Sequence, residues 1–280
     1  MSDTNVPEHD FVGARYDQDN SHPTTSLLIV LSTPRCGSTL LCDLLLRNDV
    51  CIAHEYFQPY QYMPILAERW QTSIKGDDLS DYVARLRQYR TLPNGCLGIN
   101  LHAEHLPIYL SAERQLDGLD TCYIHIVRRD QIAQAVSFHI AMQTKQWSSQ
   151  FERRAEPSYD YGAIREKLNS ISDGNQLIGA FLKARGAHAT TIYYEDLVAS
   201  PAQQLERLPF AIADVGIDRA NLQRQTDQTN KGFVERFSRD HVARAMEREP
   251  SKMAQADGDV GGFGRIRRRI GRYWPSSQKE

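Results

Sequence analysis

A short loop over residues 33–39 concentrates side chains suited to binding an anion. It reads Thr-Pro-Arg-Cys-Gly-Ser-Thr between two apolar stretches. If a helix begins within it, the first backbone N–H groups and the positive end of the helix dipole attract negative charge. Arg35 adds a fixed positive charge, Ser38 and Thr39 add hydroxyl donors, and Gly37 lets the backbone approach a ligand closely. The loop therefore predicts a phosphate or sulfate cradle.

Two familiar anion-binding chemistries fit this loop poorly. A nucleotide-triphosphate P-loop needs Gly-x4-Gly-Lys-[Ser/Thr], but Ser38 follows Gly37 directly and Ser32 stands at the first glycine position. A cysteine phosphatase would use a thiolate at Cys36 with an arginine soon after it, whereas the next arginine is Arg47. A plain turn between a strand and a helix, and a cradle for a different phosphate-bearing group, remain open.

A second group of candidate phosphate ligands follows a later strand. Arg128 and Arg129 come directly after an apolar run, Asp130 can cap the following helix, and Ser137 lies two turns along that helix. An arginine at a strand end can hold a phosphate with two hydrogen bonds, and a serine hydroxyl can complete the contact. Either arginine can take this role, and we favour Arg128.

Four stretches together resemble one family, the bacterial trehalose 2-sulfotransferases: TPRCGSTLL, HEYFQ, VRRDQIAQAVSFHIAMQTKQW and RQTDQTNKGFVERF. The resemblance runs from about residue 27 to residue 239. It implies a P-loop-like α/β sulfotransferase fold, 3′-phosphoadenosine 5′-phosphosulfate (PAPS) as the sulfuryl donor, and a carbohydrate hydroxyl as the acceptor. The chain departs from the family at Cys36, where a small residue is usual, and at Gly98-Ile99-Asn100, where a lysine would follow the glycine.

The resemblance also implies roles for individual residues. Glu55, in HEYFQ, corresponds to the carboxylate that takes the proton of the acceptor hydroxyl, and His54 is the alternative base. Arg35 would stabilise the leaving 5′-phosphate oxygen together with the loop amides of residues 36–39. Arg128 and Ser137 would hold the 3′-phosphate of the donor.

Besides Glu55, four side chains are candidates for contact with the acceptor. Tyr56, Phe57 and Trp147 offer a stacking face and Gln58 offers an amide, and both suit a sugar ring. Packing in the core is a competing role for the three aromatic rings.

A metal site is not expected from the spacing of the histidines. His102 and His105 are three residues apart, but no third ligand with suitable spacing is evident in the sequence. Sulfuryl transfer, moreover, needs no metal. We therefore expect PAPS without a metal cofactor.

The hydrophobic pattern alternates between strands and helices, which predicts a central parallel sheet with helices on both faces. Strands are predicted over residues 27–31, 96–101, 122–127 and 190–194, with a further extended run over 51–57. Helices are predicted over residues 39–47, 79–89, 131–147, 161–185 and 203–210.

The ends of the chain differ from this pattern. Residues 1–25 are polar and without periodicity, which predicts a flexible lead-in. Residues 26–260 are expected to form one sulfotransferase domain. Residues 261–280 are glycine-rich and then basic, so this tail could cover the 3′-phosphate, contact an anionic membrane or simply be solvated.

Composition narrows the setting of the protein. The 280 residues carry a net charge of −2, which gives no general case for a nucleic-acid partner. The strongly apolar runs are far shorter than the roughly 20 residues of a membrane span. The five cysteines are odd in number and form no Cys-x-x-Cys pair, which predicts reduced thiols in a cytoplasmic protein. The family resemblance further suggests a homodimer.

Overall fold

The computed structural model describes residues 10–18, 22–76, 78–148, 151–209 and 228–257. Within them, four parallel strands form a sheet in the order β2-β1-β3-β4. The strands are β1 (Ser26–Ser32), β2 (Cys96–His102), β3 (Asp120–Val127) and β4 (Ala189–Tyr193). The helices are α1 (Ser38–Arg47), α2 (Tyr62–Trp70), α3 (Ser80–Arg90), α4 (Leu106–Ala112), α5 (Gln131–Thr144), α6 (Tyr161–Ala184), α7 (Tyr194–Ala199), α8 (Pro201–Leu205) and α9 (Gln228–Asp257).

Strand β1 is buried on both faces, as its uninterrupted apolar run predicts. Leu27, Ile29 and Leu31 pack into a core with apolar side chains of α2, α3, α4 and α6. Leu28 and Val30 face the opposite core, which α1, α7 and α8 close. The predicted architecture, a parallel sheet between two layers of helices, is confirmed.

The extended run predicted over residues 51–57 does not become a strand. One isolated parallel bridge joins His54 to Ile99 of β2, and the amide of Asn100 donates to the carbonyl of His54 at 2.8 Å. The segment can lie this close to β2 because Gly98 has no side chain: a Cβ there would come within 2.5 Å of the sulfur of Cys51. The run therefore follows the sheet edge and turns away after His54.

Other element boundaries differ by a few residues from those predicted. Helix α5 ends at Thr144, before the predicted end near Trp147, because Lys145 adopts a left-handed conformation with φ of 59°. The predicted helix over residues 203–210 begins earlier, at Pro201, and ends at Leu205. Phe210 lies outside the described residues, as does the whole of the basic segment 261–280.

The described part of the lead-in packs on the α/β unit, whereas the sequence predicted flexibility for residues 1–25. Asp17 accepts hydrogen bonds from Arg69 at 2.9 and 3.0 Å and pairs at 2.8 Å with Arg90, whose side chain is fully buried. Val12 is also buried. A buried arginine needs a carboxylate partner, and the lead-in supplies it.

The chain divides into two compact units, Met1–Val234 and Glu235–Glu280. The first contains the sheet and all candidate site residues, while the described part of the second is the rest of α9. Among the described helices, none combines the length and the apolar character needed to cross a lipid bilayer.

Candidate active site

The candidate residues gather at the carboxyl edge of the sheet, where ligands bind in open parallel α/β folds. At this edge, Ser32 of β1 lies in register with His102 of β2. On the other side of β1, β3 ends at Val127, in register with Tyr193 of β4. The loop after β1 therefore lies between a group near β2, which includes Glu55, and the arginine pair after β3.

The loop after β1 delivers backbone amides to this edge. Helix α1 starts after Gly37, whose φ is 97°, and this glycine at the N-cap has no side chain with which to cap the first turn. Arg35 also has a left-handed backbone, with φ of 65°, which is uncommon for a residue with a side chain. The amide group of the buried Gln134 fixes the loop by donating to the hydroxyl of Thr33 at 3.0 Å and to the carbonyl of Pro34 at 2.8 Å.

Arg35 connects the two candidate phosphate-binding groups. Its Nε donates to the hydroxyl of Ser137 on α5 at 3.1 Å, and its terminal nitrogen donates to the carbonyl of Trp147. Burial lowers the pKa of Arg35 to about 10, and the positive charge of nearby Arg128 contributes to the shift. Two arginines held in one partly buried place repel each other, and a bound anion would relieve that repulsion.

The two arginines after β3 have different neighbours. Arg129 pairs with Asp196 through two hydrogen bonds of 2.6 and 2.7 Å, on the exposed side of the turn. Arg128 lies 5.1 Å from the centre of the Tyr194 ring, and its buried Nε has no hydrogen-bond partner among the described residues. Of the two guanidinium groups, that of Arg128 is therefore the one with capacity left for a ligand.

Tyr194 is a site residue whose position the sequence does not reveal. Its ring covers Gly37 so closely that a Cβ there would come within 2.4 Å of Cδ2 of the ring. The same ring lies beside Arg128, so Tyr194 contacts both the loop and the turn that carries the arginine pair. Spacing along the chain gives no sign of this contact, because Tyr194 and Gly37 are far apart in the sequence.

The acidic residues after β4 order the turn that carries the arginine pair. Glu195 accepts hydrogen bonds from the backbone amides of Arg129 and Asp130, at 3.2 and 3.3 Å. Asp130 caps α5, as predicted, by accepting from the amide of Ala133 at 2.8 Å. The contacts of Glu195 join the turn before α5 to the first turn of α7.

Glu55 lies on the β2 side of the loop, beside two histidines. Its Oε1 is 3.6 Å from Nε2 of His102, and 19% of its side chain remains exposed. The rings of His102 and His105 are stacked almost in parallel, with centres 5.6 Å apart. Burial lowers the pKa of His105 to about 4, and the charge of His102 adds to this shift. His105 is therefore uncharged at neutral pH.

The alternative base, His54, has a different set of neighbours from Glu55. Its Nε2 lies 3.1 Å from a carboxylate oxygen of Asp10, and its ring packs edge-on against Tyr56 and Tyr62. Asp10 thus lies at one ring nitrogen of His54, and two tyrosines pack against the ring. Of the two side chains, that of Glu55 is the more accessible, with 19% exposed against 12% for His54.

The structure places the predicted acceptor contacts in different surroundings. Tyr56 and Phe57 are fully buried, and the Phe57 ring packs edge-on against Tyr82 and Tyr109, so these two rings belong to the core and are not brought to the site. Gln58 accepts hydrogen bonds from the amides at the start of α2. Trp147 is brought to the site through its carbonyl, which accepts from Arg35.

Cys36 offers a direct test of the loop's chemistry. Its side chain is fully buried, and burial raises the pKa of the thiol, so it is protonated at neutral pH and a poor nucleophile. We expect Cys36→Ser to retain turnover, at a stability cost of up to about 1–3 kcal/mol for burying a hydroxyl. Steady-state turnover and thermal unfolding measure the two effects. Cys42→Ser, in the same core, is the matched control. Loss of turnover in Cys36→Ser alone would restore a cysteine mechanism.

Comparisons with known proteins point to one family. The sequence model described as Stf0 sulphotransferase matches residues 27–240. The trehalose 2-sulfotransferase of Mycolicibacterium smegmatis is 25% identical over 79% of this chain and 97% of its own length. That of Mycobacterium tuberculosis is 27% identical over 75% of this chain and 93% of its own length. A solved sulfotransferase domain of the Synechococcus PCC 7002 olefin synthase is 16% identical and covers 79% of this chain and 98% of its own, with a TM-score of 0.38.

Proposed function

The chain belongs to the Stf0 sulphotransferase family, and on that premise we propose that it moves the sulfuryl group of PAPS to a hydroxyl of a carbohydrate. The observation that carries this proposal is the contact from Arg35 to Ser137, at 3.1 Å, beside Arg128. It joins the loop suited to a 5′-phosphosulfate to the group suited to a 3′-phosphate. A donor with phosphates at both ends of its ribose would contact both.

The reaction we propose is an in-line displacement at sulfur. The acceptor oxygen forms a bond to sulfur while the bond from sulfur to the 5′-phosphate oxygen breaks, and the hydroxyl proton passes to Glu55. Charge develops on the leaving oxygen, so stabilising donors lower the barrier. The uncapped amides of α1, the hydroxyls of Ser38 and Thr39, and Arg35 are suited to this task. Positioning supplies the rest.

Glu55 and the loop suit their separate roles because they flank the same strand end. His102, next to Glu55, is the register partner of Ser32, the last residue before the loop. Neighbouring strands lie about 4.8 Å apart, so an acceptor hydroxyl bound at Glu55 would face a sulfuryl group held by the loop. Arg128 and Ser137 would hold the donor on the opposite side of β1.

The acceptor that we propose is trehalose or a related sugar or glycoconjugate. The support is the naming of two relatives, at 25% and 27% identity, as trehalose 2-sulfotransferases. One local difference bears on selectivity. Asn100, near the position where the family has a lysine, is buried, and its Oδ1 accepts a hydrogen bond from Ser32 at 2.9 Å. The site thus has one positive charge fewer on the β2 side, which favours an acceptor without a negative group there.

The experiment that tests this function measures transfer of labelled sulfate from PAPS to a panel of sugars that includes trehalose. We expect turnover without added metal. In parallel, 3′-phosphoadenosine 5′-phosphate (PAP) at 100 times its Kd should stabilise the fold by about 2.7 kcal/mol without magnesium. Stabilisation without transfer to any sugar would favour a non-catalytic PAPS- or sugar-binding protein. A requirement for ATP and magnesium would favour a P-loop kinase.

Two finer points belong to the same proposal. The five cysteines are all free thiols, which supports a reducing compartment such as the cytoplasm. The family resemblance supports a homodimer, which light scattering coupled to gel filtration would measure.

A further inference from the structure

Glu55, His102 and His105 form a cluster that the transfer of a sulfuryl group does not by itself explain. Each contributes one possible ligand atom, and these atoms all lie within 4.8 Å of one another. The Oε1 of Glu55 and the Nε2 of His102 are 3.6 Å apart, close to the spacing of two ligands about 2.0–2.2 Å from a shared zinc ion. The two imidazole rings lie parallel, and rotation of one ring about its side-chain bonds would aim both lone pairs at one metal ion.

The imidazole nitrogens in this cluster also lack other partners. His102 and His105 are both more than nine-tenths buried. Neither Nε2 of His102 nor either ring nitrogen of His105 makes a hydrogen bond among the described residues. The Oε1 of Glu104 approaches His105 at 3.5 Å, but its side chain is 57% exposed. A neutral imidazole has one nitrogen with a lone pair and one N–H, so each of the two rings can offer one nitrogen to a metal ion. Buried polar atoms are normally satisfied, and these buried rings therefore call for a ligand that accepts a lone pair from each.

The chemistry of the ligands selects the kind of ion. Two imidazoles and one carboxylate suit zinc and its transition-metal neighbours, whereas magnesium and calcium prefer an all-oxygen shell. Three protein ligands leave a coordination position open to water or to another ligand. Since Glu55 keeps 19% of its side chain exposed, an ion can enter from the side of the proposed acceptor site.

We propose that Glu55, His102 and His105 bind a divalent transition-metal ion of the zinc class, and that the bound ion inhibits the enzyme. The inhibition rests on the proposed function, because it follows from Glu55 being the base. A carboxylate that donates its lone pair to a metal cannot take the proton of an acceptor hydroxyl. The active protein is then the metal-free form, and zinc competes for its base.

The binding test uses the full chain, stripped of metal, and reads out metal directly. Titration with Co²⁺ should give a visible absorption band that saturates at one equivalent, and Zn²⁺ should displace the cobalt. Mg²⁺ should produce no displacement. Glu55→Gln, His102→Asn and His105→Asn should each weaken binding by more than roughly 10-fold, since even substitutions outside the ligand shell cost 10–100-fold in other sites. Thermal unfolding checks that each variant is folded.

A histidine on β3, which β1 separates from β2 in the sheet, provides the matched control. His125 is partly buried and is not one of the three clustered residues, so His125→Asn should bind cobalt like the wild type. If one or both histidine variants fail to fold, Glu55→Gln, at a partly exposed position, still decides the outcome. Absence of a saturable cobalt band in the wild type, or a band unchanged in Glu55→Gln, would overturn the metal site.

The activity test separates this inference from the proposed function. The metal-free enzyme should sulfate its sugar acceptor, one equivalent of Zn²⁺ should abolish most of the turnover, and a chelator should restore it. An inactive metal-free enzyme that still binds cobalt would count against the proposed function and leave the metal site standing. Unchanged or increased turnover with zinc bound would overturn the inhibition.

Discussion

Replacing Glu55 by glutamine is expected to lower kcat by roughly 10²–10⁴-fold, the range that a general base contributes. The amide has the shape of the carboxylate but cannot accept the proton of an acceptor hydroxyl. The measurement is turnover of labelled PAPS at saturating sugar. The affinity for PAP should stay the same, because Glu55 lies on the opposite side of β1 from Arg128 and Ser137 in the sheet order β2-β1-β3.

The backbone around Glu55 is held by main-chain hydrogen bonds, so Glu55→Gln should leave the conformation of the turn unchanged. The carbonyl of Glu55 accepts a hydrogen bond from the amide of Gln58 at 3.0 Å, and the carbonyl of His54 accepts one from Asn100 at 2.8 Å. The turn is therefore held by main-chain contacts that a side-chain change does not remove. A loss of turnover can then be assigned to proton transfer, provided that the thermal unfolding temperature is unchanged.

Two controls accompany Glu55→Gln. Glu104 is a carboxylate close to the same histidine cluster but 57% exposed, so Glu104→Gln should keep wild-type turnover. His54→Ala tests the alternative base. It should lower stability through loss of the contacts with Asp10 and Tyr62, while the folded fraction retains its turnover. Wild-type turnover in Glu55→Gln together with loss of turnover in His54→Ala would reverse the assignment.

Much of the fold follows from the sequence because the responsible forces are local. The apolar run in β1 has no polar face, so it must be buried on both sides, and the structure shows this. Alternation of such runs with helical periods then requires a parallel sheet. The sulfotransferase family and the α/β fold were both predicted from the motifs and are confirmed.

Where the structure differs from the sequence-based predictions, the cause is contacts between distant parts of the chain. The run over residues 51–57 has strand-like composition, but only His54 bridges to β2. The path of this run depends on the close packing of Cys51 against Gly98. Amino-acid composition does not reveal that contact. The lead-in looked flexible because its polar residues have no periodicity, yet Asp17 is the partner of the buried Arg90.

The candidate site also combines features that the sequence predicts with features that depend on contacts between distant residues. The residues of the loop over 33–39 are consecutive in the chain, so its anion-binding character can be recognised from the sequence. By contrast, no third ligand for His102 and His105 was evident, because spacing rules cover only nearby residues. Glu55 reaches them through the packing of its segment along β2. Similarly, Tyr194 meets Gly37 only because β1 and β4 lie on either side of β3.

Replacing Arg128 by glutamine is expected to weaken the binding of PAP by about 10- to 150-fold, which corresponds to the 1.5–3 kcal/mol of a hydrogen bond to a charged group. The reason is that the buried Nε of Arg128 makes no hydrogen bond within the described part of the chain, and that Arg128 lies beside Arg35, which contacts Ser137. Isothermal titration with PAP measures the effect. Adenosine 5′-phosphate, which lacks the 3′-phosphate, should bind to wild type and variant with the same affinity.

The adjacent arginine provides the matched control for Arg128→Gln. The guanidinium of Arg129 is committed to Asp196 at 2.6 and 2.7 Å, so Arg129→Gln should leave the affinity for PAP close to that of the wild type. The two variants remove the same charge from neighbouring positions, and long-range attraction of the nucleotide is therefore nearly equal in both. Only a direct contact with the 3′-phosphate can separate them. Two outcomes would contradict the assignment: an equal loss of affinity for PAP in both variants, or a loss of affinity for adenosine 5′-phosphate as large as that for PAP. Either would show that the arginine pair attracts the nucleotide only by long-range electrostatics and that another group binds the 3′-phosphate.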